Sequence, residues 1–271
     1  MKKPAAITIG SHSDVGLVRT ENQDAFGAFP ERGGVISVLK GQLFVVADGM
    51  GGHRGGREAS HLAVQVIRDS YLNSPEGPVG NDLLRAFQRA NEIINQESIK
   101  NPSLENMGST CTALVLQDGR ACVAHIGDSR AYLITKPSIR QLTNDHSKVG
   151  EMQRRGLLTK EEAKAHPDRS QISQALGVKP EAKIDVIEDI PLGNDERFLL
   201  CTDGLSNNID DAELHRIALS LPPEEACKAL VNLANSRGGQ DNATVQIVHV
   251  KRNPSLVERF FGVFQRNDEG R

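Results

Sequence analysis

The order of the predicted secondary-structure elements constrains the fold of this 271-residue chain more than any other feature of its sequence. Clusters of strands alternate with pairs of helices, whereas a doubly wound parallel sheet needs a single crossover helix between consecutive strands. The order therefore predicts a layered α+β fold in which most strands are antiparallel. The strand-like segments cover residues 7–11, 35–38, 43–47, 110–117, 120–126, 130–135, 183–188, 197–201 and 243–250.

Local signals define the remaining elements. Apolar residues at helical spacing predict helices around residues 59–67 and over residues 82–99, 211–220 and 223–236. The pair Asp118-Gly119 predicts a two-residue hairpin between its flanking strands, and the segment 130–135 is expected to continue that meander. The charged segment 147–176 contains a capping-box pattern from Thr159 to Glu162 and is expected to leave the sheet.

The composition is that of an ordinary globular protein. A formal net charge of −3 gives no support for nucleic-acid binding. The sequence shows no secretory signal, and no apolar run approaches the roughly 18 residues that a membrane-spanning helix needs. Because the four cysteines have no metal-ligand spacing, we expect buried free thiols and a cytoplasmic location.

The C-terminal residues 253–271 differ from the rest of the chain. We predict a single domain over residues 1–252 and a C-terminal amphipathic helix that folds back onto it. Docking of this tail to a partner or a membrane is the alternative, although the tail has few basic residues for interfacial binding. The apolar side chains at helical spacing are those of Leu256, Val257, Phe260, Phe261 and Phe264.

Five aspartates lie in short turn signals that are spread over almost the whole chain. Most of them open or close a predicted strand, so that their carboxylates would project from the end of a rigid sheet. Such oxygen ligands suit hard divalent cations, for example Mg²⁺ or Mn²⁺. The five are Asp24 in RTENQDAF, Asp48 in FVVADGMGGH, Asp128 in HIGDSRAYL, Asp203 in LLCTDGLSNN and Asp241 in GGQDNATV.

Glycine and arginine near these motifs support the same interpretation. Glycine occupies positions 49, 51, 52, 55 and 56, a density that predicts a backbone in close approach to a ligand. Arg19 precedes Asp24 by five residues, and its guanidinium suits bidentate binding of a phosphate. The histidines show no zinc-site spacing, and no serine lies in a GxSxG elbow, so neither zinc nor serine catalysis is supported.

Seven motifs in one order resemble the metal-dependent protein phosphatase 2C family in its bacterial form, from about residue 7 to residue 250. The resemblance implies a β-sandwich of two antiparallel sheets flanked on each side by a pair of helices. It also implies a phosphatase that acts on phosphoserine and phosphothreonine in proteins. The motifs are GLVRTENQDAF, VVADGMGGHRGGREAS, GSTCTALVL, VAHIGDSRAYL, LTNDHS, LLCTDGLSNNI and GGQDNATVQIV.

The family pattern also implies a set of metal ligands. Asp48 would bridge two Mn²⁺ or Mg²⁺ ions, with the carbonyl of Gly49 as a further ligand. Asp203 and Asp241 would complete the first site, and Asp24 would act on the second, largely through water. In bacterial members a third ion is bound, here by Asp128 together with Asp203.

The implied mechanism is direct attack on phosphorus by water that bridges the two metals and has a lowered pKa. No nucleophilic Cys or Ser is then required. Asp48 and Asp203 would serve catalysis through the metals, Arg19 would hold the substrate phosphate, and segment 147–176 would be the family's flap beside the active site.

The chain departs from the family pattern at three positions. Gln23 replaces a Glu that many eukaryotic members carry, and Met50 replaces the histidine proposed there as general acid. His53 could bind substrate and substitute as the general acid; metal-bound water, or an unassisted good leaving group, is the alternative. Gln174 stands in the flap where similar proteins often have arginine.

Two other functions remain open at this point. A catalytically silent family member could act as a binding scaffold, although the intact aspartate set argues against it. A nucleotide or small-molecule phosphoesterase would keep the metals, but the chain has no nucleotide loop of the GxxxxGK[ST] type. The resemblance also implies a serine/threonine kinase as the source of the phosphoprotein substrates.

Overall fold

The computed structural model describes residues 6–30, 39–51, 55–75, 77–159, 162–163 and 166–251. The predicted strand over 35–38, the C-terminal tail and His53 lie outside these residues. Within them, no helix is long and apolar enough to cross a membrane.

The strands form two sheets in which every paired neighbour is antiparallel. The first sheet has the order β1-β11-β10-β7-β8, and the second has the order β2-β3-β5-β6-β9 with β4 paired to β3. The predicted α+β sandwich is confirmed. The strands are β1 Ala6–Asp14, β2 Asp24–Phe29, β3 Gln42–Met50, β4 Gly108–Ser109, β5 Cys111–Gln117, β6 Arg120–Ile126, β7 Arg130–Ile134, β8 Ile139–Gln141, β9 Asp185–Pro191, β10 Asp195–Cys201 and β11 Ala243–Lys251.

A pair of helices covers the outer face of each sheet. Helices α1 and α2 pack on the second sheet, and α5 and α6 pack on the first. Helix α5 begins with a capping box between Asp210 and Glu213, and α6 begins with Pro223, which suits a first helical turn. The helices are α1 Gly55–Leu72, α2 Val79–Lys100, α3 Lys148–Arg154, α4 Asp203–Ser206, α5 Asp211–Ser220 and α6 Pro223–Ser236.

Strand β3 shows why the sheets are apolar on both faces. Leu43 and Val45 pack under the helices, whereas Phe44 and Val46 belong to the cluster between the two sheets. Because side chains alternate along a strand, Asp48 lies on the face that is turned toward the other sheet. The strand continues to Met50, so Asp48 lies within it and not after it.

The hairpin at Asp118-Gly119 is confirmed: both residues have positive φ, and Gln117 pairs with Arg120. The prediction that segment 130–135 continues this meander was wrong, because β7 pairs with β10 and β8 in the first sheet. The chain crosses between the sheets at Gly127, whose φ is +106°. An apolar pattern indicates a strand but does not identify the sheet to which it belongs.

Strand β2 was missed by the sequence analysis because DAFGAF is rich in small residues and glycine, which have low β-propensity. Helix α2 begins at Val79, three residues before the predicted start, and β4 and β8 are too short to give a pattern. The four cysteines are buried free thiols, as expected.

The flap segment 147–176 leaves the sheets, as predicted. Its capping box is formed, since Thr159 N donates to Glu162 Oε2 at 2.8 Å and Glu162 N donates to Thr159 Oγ1 at 3.2 Å. Isolated bridges join Ser147 to Ile172 and Leu176 to Ser109. The base of the flap is therefore attached both to itself and to the second sheet.

Candidate metal centre

The five aspartates lie at one edge of the sandwich, on strand ends or turns. Asp24 and Asp48 are partners across β2 and β3 in the second sheet. Asp203 follows β10, and Asp241 precedes β11, which is antiparallel to β10 in the first sheet. Asp128 lies in the turn between β6 and β7, where the chain passes from one sheet to the other.

Two buried threonines from the first sheet hold Asp24 of the second sheet. Thr244 Oγ1 donates to Asp24 Oδ2 at 2.6 Å, and Thr202 Oγ1 donates to the same atom at 2.9 Å. Thr202 Oγ1 also accepts from Thr244 N at 3.0 Å. These bonds cross between the sheets and fix one oxygen of Asp24. The sequence analysis missed both threonines, although each stands close to a predicted ligand in the TDG and DNAT motifs.

The backbone of Asp48 is fixed by its neighbours on β4 and β5. Asp48 N donates to Thr110 Oγ1 at 3.0 Å, and its carbonyl accepts from Thr110 N at 2.9 Å and from Ser109 Oγ at 3.0 Å. The hydroxyl of Thr110 lies 2.7 Å from that of Ser129, the residue after Asp128. The strand positions of Asp48 and Asp128 are thus linked through buried hydroxyl groups.

Two of the glycines after Asp48 are required by packing within the protein, whereas the predicted approach to a ligand stays a prediction. A Cβ on Gly49 would lie 1.9 Å from the carbonyl oxygen of Gly56, and a Cβ on Gly56 would lie 2.6 Å from Gln23 Oε1. These two glycines are required by close contact between β3, the start of α1 and the loop before β2. What approaches the backbone here is the protein itself.

Burial and mutual repulsion raise the pKa values of Asp24, Asp48, Asp128 and Asp203. Burial raises the pKa of Asp24 to about 7, with the charges of Asp203 and Asp241 adding to the shift and the threonine hydrogen bonds opposing it. For Asp48, Asp128 and Asp203 the pKa is likewise raised, first by burial and then by neighbouring carboxylates. A nearby cation would reverse these shifts, because it favours the charged form.

Three buried oxygens of the aspartates have no hydrogen-bond partner among the described residues: Asp24 Oδ1, Asp128 Oδ1 and Asp203 Oδ1. Unpaired buried oxygens are costly unless a ligand or cation meets them. In the described part of the chain, no group of three or more His, Cys, Asp or Glu side chains is arranged so that it could hold a metal ion by itself. An open set of carboxylate oxygens fits Mg²⁺ or Mn²⁺, which bind a few carboxylates and keep several waters.

Arg19 joins the centre from the loop before β2. Its Nη2 lies 2.8 Å from Asp241 Oδ2, and about half of its side chain is exposed. The hydrogen bond from Arg19 to Asp241 raises the pKa of the guanidinium, and the charges of Asp48 and Asp203 contribute as well. A cationic group is therefore accessible to solvent at the edge of the carboxylate cluster.

Asn242 attaches the Arg19 loop to β11 and was also missed by the sequence analysis. Its Nδ2 donates to the carbonyls of Val15 at 2.9 Å and Glu21 at 3.0 Å, and its Oδ1 accepts from Gln23 N at 2.8 Å. Every polar atom of this side chain is used to hold the loop. Its position directly after Asp241 is the only signal that the sequence offers.

A cavity of ≈ 320 Å³ opens between the flap and the metal centre, with Asp128 and Asp203 in its wall. Arg130 also lines it, but its charge is paired with Asp145, to which its Nη2 donates at 2.7 Å. Val149 of the flap forms part of the opposite wall. The flap therefore borders the carboxylate cluster directly.

The structure brings Arg19, Gly49 and the five aspartates to this edge, whereas His53 lies outside the described residues. Met50 is the last residue of β3 and is adjacent to Gly49. Gln174 lies near the end of the flap, before the bridge at Leu176.

Comparison with known proteins is consistent across families, sequences and structures. The family model described as protein phosphatase 2C matches residues 11–237. The serine/threonine phosphatase stp of Listeria innocua is 34% identical over 87% of this chain and 93% of its own length. Protein phosphatase PhpP of Streptococcus pneumoniae is 38% identical over 87% of this chain and 94% of its own.

Solved structures show the same similarity. The Mycobacterium tuberculosis serine/threonine phosphatase PstP/Ppp is 33% identical with a TM-score of 0.78, and the match covers 91% of this chain and 99% of that one. The catalytic domain of PstP in complex with two manganese ions is 31% identical with a TM-score of 0.77, over 91% and 99% of the two chains.

Proposed function

This chain belongs to the protein phosphatase 2C family, and we propose that it is a metal-dependent phosphatase that hydrolyses phosphoserine and phosphothreonine in proteins. One observation supports this most directly: buried aspartate oxygens without partners lie at the same sheet edge as an accessible arginine. Carboxylates of this kind hold divalent cations, and a neighbouring guanidinium binds phosphate. The manganese in the related PstP structure supports Mn²⁺ or Mg²⁺ as the cofactor.

The ligand assignment follows the position of each side chain. We assign Asp48, at the inner face of β3, to both of two ions, with the Gly49 carbonyl beside it. Asp203 and Asp241, which lie beside β10 and β11 of the first sheet, would be further ligands of the first ion. Asp24 acts on the second, because its Oδ1 is unpaired while its Oδ2 is held by hydroxyl groups.

A third ion is assigned to Asp128 and Asp203, whose unpaired oxygens are buried at the flap cavity. When bound, the metals supply an activated water for direct attack and neutralise charge on the phosphate. Because flap residues line the same cavity as Asp128 and Asp203, we propose that the flap limits access of substrate to this centre.

Arg19 orients the phosphate. The cysteines Cys201 and Cys227 are poor candidates for the nucleophile of covalent catalysis. Arg19 can donate to the phosphate in place of Asp241, since its guanidinium has several N–H groups and is half exposed. Burial raises the pKa of Cys201 and of Cys227 to about 12, so neither thiol forms a thiolate at neutral pH. We propose that solvent or His53 acts as the general acid.

The remaining assignments concern the setting of the enzyme. We propose that residues 1–252 form a single catalytic domain, that the tail 253–271 contacts this domain or a partner, and that the protein acts in cytoplasmic signalling. Its substrates would be phosphoproteins produced by a serine/threonine kinase. The family relatives named as phosphatases support the substrate class.

Hydrolysis of a phosphothreonine peptide by the purified full chain, with Mn²⁺ or with a chelator, tests the function. We expect release of phosphate only with Mn²⁺, and a fall of at least ~10²-fold in kcat for Asp203→Asn, the loss typical of one catalytic electrostatic group. Asp211→Asn, on the cavity rim, is the control. Metal-independent hydrolysis, or full activity of Asp203→Asn, would contradict the assignment, and an inactive wild type would favour the scaffold alternative.

A further inference from the structure

Two apolar side chains beside the metal centre are exposed to solvent on the loop before β2. Leu17 is 71% exposed and Val18 is 65% exposed, and they immediately precede Arg19. One exposed leucine needs no explanation, because much of any protein surface is apolar. Two adjacent apolar residues next to the proposed phosphate-binding arginine form a more specific arrangement. We call the side chains of Leu17 and Val18 the apolar rim.

The backbone of the apolar rim is held against the first sheet. The N–H groups of Leu17 and Val18 both donate to the carbonyl of Gly239, at 2.7 and 3.3 Å. A Cβ on Gly16, whose φ is +80°, would lie 2.5 Å from the carbonyl oxygen of Asp241. The loop thus packs its backbone tightly, and although a Cβ on Gly239 would lie 2.8 Å from Leu17 Cγ, most of both apolar side chains stays exposed. Binding to a preorganised surface avoids much of the entropic cost of ordering it.

We propose that the apolar rim of Leu17 and Val18 binds a hydrophobic side chain of the phosphoprotein close to the phosphorylated residue. This inference rests on the proposed function, because Arg19 marks the position of the phosphate. Consecutive Cα atoms are about 3.8 Å apart, so the Cα atoms of Val18 and Leu17 lie within about 4 and 8 Å of the Cα atom of Arg19. A substrate whose phosphate reaches Arg19 therefore places its flanking residues over the apolar rim.

Among the described residues, the acidic side chains closest to Arg19 are paired with cations. The closest acidic side chain on the same loop, Glu21, pairs with Arg57 at 3.3 Å. Asp241 pairs with Arg19 itself at 2.8 Å. Burial of apolar surface is therefore the interaction that the loop offers to the polypeptide on either side of the phosphate.

The test compares phosphothreonine peptides that differ by one residue. A single leucine is placed in turn at each position flanking the phosphothreonine, and a peptide with serine there is the reference. The double variant Leu17→Ser/Val18→Ser should lower kcat/KM for the best leucine peptide by roughly fivefold, mainly through KM, less than the tenfold or more of an enclosed apolar pocket. Activity on the serine peptide and on p-nitrophenyl phosphate should not change.

Leu39→Ser is the matched control. Leu39 is 49% exposed and precedes β3, whose opposite end carries Asp48. At about 3.3 Å per residue of strand, it lies on the order of 20 Å from the centre. This variant should retain the leucine preference of the wild type.

The outcomes separate the two proposals. An equal loss on every substrate, or an unchanged leucine preference in the double variant, would overturn the role of the apolar rim while leaving the phosphatase intact. If the wild type with Mn²⁺ hydrolysed none of the substrates, the proposed function itself would fail.

Discussion

Buried charged groups lie near both ends of strand β3, and the two groups differ in how far other parts of the protein neutralise them. Before the start of β3, the ammonium of Lys40 donates to Ser74 Oγ at 2.8 Å, to the Pro75 carbonyl at 2.9 Å and to Asp82 Oδ2 at 2.8 Å. Near its other end, Asp48 is surrounded by carboxylates that raise its pKa.

The difference shows how a structural charge can be told from a functional one. At the Lys40 end every charge has an opposite charge and hydrogen bonds within the protein, and the Asp82 carboxylate also pairs with Arg85. At the Asp48 end carboxylates predominate: Arg19 is half exposed, and Arg130, which lines the same cavity as Asp128 and Asp203, is paired with Asp145. A complete set of partners indicates a role in stability, whereas a buried set of one sign requires a ligand from outside.

The largest expected effect is on the structural pair. Asp82→Ala leaves the Lys40 ammonium buried without its counterion and should lower the free energy of unfolding by about 3–5 kcal/mol. Denaturant unfolding measures this change, and kcat with Mn²⁺ should stay at the wild-type value for the folded fraction. The double variant Lys40→Met/Asp82→Leu should recover most of the stability. If kcat fell as steeply as stability, the two ends of β3 would not be independent.

A smaller effect is expected from the metal itself. Saturating Mn²⁺, at ~100 times its dissociation constant, should stabilise the wild type by about 2.7 kcal/mol, or roughly 5–10 °C in Tm. Asp48→Asn should lose most of this gain, because a ligand is removed, while its metal-free form should be no less stable, since one repelling carboxylate is gone. Calorimetry with and without Mn²⁺ provides the measurement. An undiminished Mn²⁺ effect in this variant would place the ions elsewhere, and the Asp82→Ala protein is a control that should retain it.

The smallest effect concerns a third kind of buried group, one that is kept neutral. Burial lowers the pKa of His125 to about 4, with the charge of the adjacent His146 adding to the shift and Asp145 and Asp185 opposing it. The folded state favours neutral His125. Its contribution to the free energy of unfolding is therefore present above about pH 6.5 and is lost as the pH falls towards 4. Between these pH values the free energy of unfolding falls by up to about 1.4 kcal/mol per pH unit.

The variant His125→Gln isolates this contribution, since glutamine does not titrate. We expect the difference in unfolding free energy between wild type and variant to shrink steadily from pH 7 to pH 5. Denaturant titrations at several pH values provide the measurement, and a difference that is constant with pH would contradict the assignment. His61→Gln, at an exposed position on α1, is the control.

Much of the local structure could be predicted because it depends on neighbours in the chain. The helices over 211–220 and 223–236 begin and end as predicted, since a capping residue and a proline define their starts. The hairpin at Asp118-Gly119 was predictable because few residues adopt positive φ readily. The candidate aspartates could be predicted because turn motifs place acidic side chains after apolar runs. Arg19 could be predicted because it precedes Asp24 by five residues.

Features that depend on packing between distant segments could not be predicted. The apolar run of β7 was compatible with either sheet, and the sheet that it joins follows from the turn at Gly127. The short, small-residue strand β2 gains its stability from pairing with β3, not from its own propensity.

By itself, the sequence determined the chemistry of this protein: the order of its helices and strands, its acidic ligand candidates and its family. Only the tertiary structure decided that Thr202 and Thr244 restrain Asp24 from the opposite sheet, that Asn242 holds the Arg19 loop, and that Lys40 is neutralised by Asp82. The physical reason is that backbone conformation is dictated by adjacent residues, whereas the partner of a buried polar atom is dictated by whichever distant segment folding places within hydrogen-bonding distance.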